Sequence, residues 1–114
     1  MHEASVAQAL IDVICQEADK QAARPIAARI SCGQLNGLND EVFAFAFEAI
    51  APGTVCEGMA LHIEHKPIQA RCCACESTFA LDRSELRCVH CGYEEFELLP
   101  DAPLVLEEIE FEKE

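Results

Sequence analysis

Positive charge is scarce in this sequence: among 114 residues only 8 are lysine or arginine, against 21 aspartates and glutamates, for a net charge of −13. Phosphates repel such a chain, which excludes nucleic acid and anionic membrane surfaces as partners. The excess acid is spread along the chain, and residues 67–100, with 3 basic against 6 acidic side chains, form no basic patch. No stretch approaches the roughly 20 apolar residues of a membrane span. The opening MHEASVAQAL has no basic leader followed by an apolar run, so the chain is expected in the cytoplasm, in a reducing compartment. Low-complexity segments are absent, and the only internal repetition is a pair of CxxC motifs. There is no Ser/His/Asp arrangement, phosphate loop or placed pair of carboxylates. The expectation is therefore a protein that is not an enzyme and has no catalytic residues.

What is present folds. About half of the residues are apolar (51%), enough for a small core together with a metal-stapled module. Residues 4–22 show the three- and four-residue spacing of an amphipathic helix, with Val6, Leu10, Val13, Ile14 and Ala18 on one side. Arg24-Pro25 stops it. Ile26, Ala28, Ile30 and Cys32 then alternate with Ala27, Arg29 and Ser31, the pattern of a strand facing a core. Asn39 suits a helix cap, with Asp40 and Glu41 at the positive helix end. The second helix spans 40–51, with a stripe of Val42, Phe43, Ala46, Phe47 and Ile50, and Pro52-Gly53 ends it. A second strand lies near 58–66. The acidic segment at the carboxyl end forms a third, with Val105, Ile109 and Phe111 on one face and Glu108, Glu110 and Glu112 on the other. The predicted architecture is α+β: two helices packed on a three-stranded sheet. A cysteine module spanning 67–100 is inserted between 1–66 and the completing strand in 101–114.

That module carries the strongest signal. Cys72-x-x-Cys75 is followed after 12 residues by Cys88-x-x-Cys91, with Gly92 directly behind. Each pair makes a tight turn that points two thiolates at one ion, and two such turns complete a tetrahedral, structural Zn(2+) site. Four thiolates leave no open position, which excludes a catalytic zinc. Cys73 competes with Cys72 for the first position; the spacing of the second pair selects Cys72. His90 sits inside a pair as an exposed bystander or an outer donor. Cys15, Cys32 and Cys56 lie outside the module, and small buried hydrophobes are the default for them.

The amino terminus offers a different chemistry. Removal of an initiator methionine needs a small second residue, and His2 is large, so the free amine of Met1 is expected to persist. That amine, the deprotonated amide of His2 and its imidazole can close fused rings on one ion. Ni(II) and Cu(II), which favour planar nitrogen sites, reward such a set. A fourth donor is needed, and the amide of Glu3 or another side chain could serve. Many chains start Met-His without binding anything, and Glu3 alone reads as a first-turn acid, so these three residues leave both readings open.

The whole chain, however, resembles one family. MHE runs directly into an amphipathic helix. A strand is followed by Gly33-Gln-Leu-Asn-Gly-Leu, then Phe43-Ala-Phe-Ala-Phe-Glu before Pro52-Gly-Thr, then Glu57-Gly-Met-Ala-Leu-His-Ile-Glu, the inserted CxxC-x12-CxxC and an acidic strand. This is similar to the HypA family, the nickel metallochaperones that mature nickel-iron hydrogenases. The resemblance implies Met1, His2 and Glu3 as nickel-binding residues, Ni(2+) as cargo, and structural zinc on Cys72, Cys75, Cys88 and Cys91. It also implies a HypB-type GTPase and the hydrogenase large-subunit precursor as partners. Monomer and homodimer both remain open. Members in which histidines flank the zinc cysteines directly differ from this chain, where only His90 lies within a pair.

Overall fold

The computed structural model describes residues 2–35 and 37–112. Helix α1 runs Glu3–Gln21. It ends where Ala22 turns left-handed (φ 50°), its amide reaching the Ala18 and Asp19 carbonyls. Strand β1 is Pro25–Gly33, α2 is Asp40–Ile50 and β2 is Ala60–Lys66. Three short strands follow, β3 Gln69–Cys72, β4 Thr78–Ala80 and β5 Phe96–Leu98, before β6 at Val105–Phe111 closes the chain. The expected α+β class holds, with two helices and two three-stranded sheets among the described residues, the sheets ordered β2-β1-β6 and β4-β3-β5.

The larger sheet is mixed. β1 and β2 are parallel, which requires a crossover, and α2 lies in that connection. Asn39 caps α2 by accepting a hydrogen bond from the Val42 amide at 3.1 Å. β6 returns antiparallel to β1. The core gathers Ile11 and Ile14 from α1, Phe43 and Phe47 from α2, and Ala28, Ile30 and Cys32 from β1.

Several faces depart from the periodic reading. Val13 and Val42 are exposed, while Ala7 and Ile11 are buried; the buried stripe of α1 is rotated toward Ala7-Ile11-Ile14-Ala18, which meets both α2 and the sheet. Ile26 is also exposed, because the β1–β6 register slips between Pro25 and Ala27. A second slip matters more. Arg29 pairs with Glu108 and Ile30 with Leu106, leaving Glu107 as an extra residue. A bulge of this kind breaks alternation. Leu104, Leu106 and Ile109 therefore face the core, and Val105 points away from it. Glu107 accepts a hydrogen bond from the fully buried Ser31 hydroxyl at 2.7 Å.

The smaller sheet has a core of Ala70, Cys72, Phe79 and Cys88, flanked by Leu81 and Phe96. Phe79 and Phe96 meet edge to face with centroids 6.0 Å apart. Both ends of the 67–100 segment are tied to the end of β1: the Gly33 amide donates to Ala102 O at 3.0 Å and the Gln34 amide to Lys66 O at 3.1 Å. The chain is elongated, with a radius of gyration of 18.0 Å against about 13 Å for a compact chain of this length.

Candidate metal centres

The two cysteine turns repeat one backbone solution. In the first, Glu76 N donates to Cys72 O and Cys72 N to Ser77 O; in the second, Gly92 N donates to Cys88 O and Cys88 N to Tyr93 O. The residue behind each pair is left-handed, Glu76 at φ 63° and Gly92 at φ 78°. Glycine adopts that conformation without steric cost and glutamate does not. Amides of Ala74 and Cys75 point at Cys72 Sγ (3.3 and 3.4 Å), and the His90 amide points at Cys88 Sγ (3.3 Å). Such N–H donors stabilise thiolate charge.

The turns bring the four sulfurs of Cys72, Cys75, Cys88 and Cys91 within 4.8 Å of one another. The Cys72–Cys91 and Cys75–Cys88 separations are 3.5 and 3.7 Å. A tetrahedral ion with bonds of about 2.3 Å needs edges of about 3.8 Å, and these two separations match such edges. Cys72 and Cys88 are buried, while Cys75 and Cys91 are exposed. Hydrogen bonds from the Ser77 hydroxyl and amide hold Cys75 down at about 6. Cys91 is lowered by the Tyr93 amide, yet the Cys72 thiol, burial, Cys75 and Cys88 together push it up to about 12. Cys73 is exposed and stands outside the cluster. His90 is also exposed.

Of the amino-terminal residues, Met1 lies outside the described residues. His2 is exposed and occupies the N-cap of α1 in extended conformation (φ −89°, ψ 108°). Its side chain makes no capping hydrogen bond, so the imidazole is not committed to the helix. Glu3 Oε2 accepts from the Asn39 amide at 3.5 Å. This contact joins the start of α1 to the start of α2.

A third group was not visible in the sequence. His65 Nε2 lies 2.6 Å from Asp40 Oδ1, and its Nδ1 lies 3.7 Å from Cys32 Sγ. Cys32 and His65 are register partners across the parallel β1–β2 pair, and Asp40 opens α2. Only the strand register reveals the alignment, because the three residues are far apart in sequence. Cys56, in contrast, is a buried core thiol, raised to about 11 by burial and then by the neighbouring Cys15 thiol.

Residues 1–111 match the profile of the HypA family, described as "Hydrogenase/urease nickel incorporation, metallochaperone, hypA". The hydrogenase maturation factor HypA of Aeromonas salmonicida is 36% identical over 93 residues, covering 81% of this chain and 82% of that protein. HypA of Polaromonas naphthalenivorans is 38% identical over 93 residues, with 81% of each chain covered. The hydrogenase maturation factor HybF of Escherichia coli is 29% identical over 113 residues, 98% of this chain and 100% of the relative. Among solved structures, the Ni metallochaperone HypA from Helicobacter pylori aligns over all of both chains at 24% identity with a TM-score of 0.64. A second HypA solution structure aligns over 100% of this chain and 98% of that one, at 23% identity and a TM-score of 0.71. At these identities the two structures speak to the fold.

Proposed function

This chain belongs to the HypA family of hydrogenase and urease nickel-incorporation metallochaperones, and from that premise we propose that it takes up Ni(II) at its amino terminus and delivers it to the large-subunit precursor of a nickel-iron hydrogenase. It is a carrier and maturation factor, not an enzyme. The observation that supports amino-terminal loading is the state of His2: exposed, extended and without a capping role at the very start of α1.

The Met1 amine, the His2 amide and the His2 imidazole supply three planar nitrogen donors. The positive end of α1 favours loss of the His2 amide proton. Glu3 counters the positive helix end beside the incoming cation, and the Glu3 amide or another side chain supplies the fourth donor. Three groups give up protons, so affinity falls as pH drops. Copper binds such donors at least as well as nickel, so metal supply and partners set selectivity. A site at a chain end lets a recipient replace the ligands one at a time.

Cys72, Cys75, Cys88 and Cys91 hold a structural zinc, whose closed four-thiolate shell supplies folding energy to 67–100 and no reactive position. In this reading residues 1–66, completed by 101–114, carry nickel, and 67–100 form the zinc domain. The chain works in the cytoplasm with a HypB-type GTPase. Its eight unpaired cysteines suit that reducing compartment. The acidic surface leaves nucleic acid and anionic membrane out of its partners.

Nickel titration of the zinc-loaded chain tests the reading, beside a version extended by one residue before Met1. One nickel per native chain in a square-planar absorption, lost in the extended version, is the expected result. Equal binding by both overturns amino-terminal loading.

A further inference from the structure

Strand β6 ends the larger sheet: β1 pairs with one side of it, and no described strand lies on the other. Such an edge offers its N–H and C=O groups to a further strand. Beside this edge runs α1, and between the two lies an open groove of about 340 Å³. Val6, Ala9, Leu10 and Val13 line it from the helix, and Leu104 and Leu106 line it from the start of β6. The walls are almost wholly apolar, yet Val13 is 45% exposed. An edge strand, a helix alongside it and an apolar groove between them suit an extended peptide that adds itself to a sheet. The peptide backbone pairs with the edge, and alternate side chains enter the groove.

The other face of β6 indicates what such a peptide carries. Leu106 and Ile109 pack against the core, so Glu108 and Glu110 project from the opposite face. Residues 107–112 hold four glutamates. Glu107 meets Lys66 at 3.7 Å and Glu108 meets Arg29 at 3.5 Å, while Glu110 and Glu112 have no ion pair among the described residues. A second copy of β6 on this edge would set glutamate against glutamate, which is destabilising. Lysine or arginine on the incoming strand would instead pair across to them. The charge therefore selects a basic partner over self-association.

We propose that the β6 edge and the α1 groove together dock an extended segment of a partner protein in which β-branched apolar residues alternate with lysine or arginine. Its apolar side chains enter the groove against Val13 and Leu106, where branched residues fit a pleated surface. Its basic side chains meet Glu108 and Glu110 on the other face, and its backbone extends the sheet beyond β6 by one strand. Ser5 also lines the groove, three residues along the chain from His2, so the docked segment lies beside the amino terminus. The surface uses neither metal centre and stands whether or not the amino terminus binds nickel.

The test uses the full zinc-loaded chain without nickel, titrated by heteronuclear NMR with the capped peptide Lys-Val-Lys-Val-Lys-Val-Lys. The amides of Val105–Phe111 should shift and gain protection from hydrogen exchange as the peptide binds. A peptide of the same composition with its lysines and valines in separate blocks keeps charge and apolarity but loses the alternation, and should bind at least about tenfold more weakly. Val13→Gln and Glu110→Gln, both at exposed side chains, should each weaken the alternating peptide by about tenfold, the loss expected at the centre of an interface. Absence of binding overturns the proposal. So does equal binding of the block peptide, binding that leaves the β6 amides unprotected, or binding indifferent to both substitutions. Protection of β6 in the chain alone, accompanied by a dimer in sedimentation, assigns the edge to a second copy and overturns it as well.

Discussion

Gly33→Ala should destabilise the protein, and Asp101→Ala should restore what it loses. Gly33 ends β1 with an ordinary strand backbone, so the methyl group brings no conformational strain; the obstacle is the Asp101 carboxylate, which occupies the place of the new Cβ. Forcing the two apart costs about 1–3 kcal/mol, the usual range for an overpacked site. It also threatens the Gly33 N to Ala102 O hydrogen bond, worth about 1 kcal/mol. Asp101→Ala alone removes a buried oxygen that has no partner and should be neutral or stabilising. In the double variant the clash is gone, and alanine's smaller unfolded-state entropy contributes about 0.4–1 kcal/mol. The double variant should thus be at least as stable as Asp101→Ala. Urea unfolding of the four zinc-loaded proteins measures the cycle, with a coupling of at least 1 kcal/mol expected. Additive losses would show that the carboxylate is not what fills the space at Gly33.

Other outcomes follow from the same structure. Removing the metal with a chelator should abolish the β3-β4-β5 sheet, two of whose four buried core residues are Cys72 and Cys88, while the circular dichroism of α1 and α2 persists. Gly92→Ala should cost about 1 kcal/mol, because it places a side chain in a left-handed turn, whereas Glu76→Gly at the matching position should cost nothing measurable in chelator-challenge melts. Phe43→Ala, at a fully buried position against Phe47, should cost about 3–5 kcal/mol in urea. The Ser31 hydrogen bond, then Lys66 and Arg29, hold Glu107 below the usual carboxylate range. A group depressed in the folded state stabilises above its unfolded value and loses that stabilisation as pH falls through its folded value. Glu107→Gln should therefore flatten the decline of stability below the ordinary glutamate range in acid titrations.

Local chemistry made much of this molecule legible. The Arg24-Pro25 stop, the Asn39 cap and the Pro52-Gly53 terminator act through their immediate neighbours, and both helices begin and end within a residue of the ranges 4–22 and 40–51 read from the sequence. The CxxC pairs are readable for the same reason: each turn closes on its own backbone before it meets the other. What escaped the sequence depends on long-range register. A single extra residue at Glu107 rotates the start of β6 and reverses which side chains reach the core, and no alternation pattern records it. Val13 and Val42 look like core by periodicity, yet the neighbouring elements approach α1 and α2 from another angle. The Cys32–His65–Asp40 alignment requires parallel pairing of β1 with β2, and that pairing exists only once α2 has crossed over.

The two amides that pin Lys66 and Ala102 beside the end of β1 have a kinetic consequence. β6 can join β1 only after everything between β2 and β6 has been drawn into a closed loop. An unfolded loop resists closure by an entropy that grows with its length, about 0.6 kcal/mol for each doubling. Folding 67–100 around its metal shortens that loop to two short arms whose ends already stand side by side. Loading of the cysteines is therefore expected to speed completion of the β2-β1-β6 sheet, and a chain starved of that metal should spend longer with the outer edge of β1 unpaired. Such an edge is open to a strand from another chain, so scarcity of one metal would be felt first as association between copies rather than as loss of the helices.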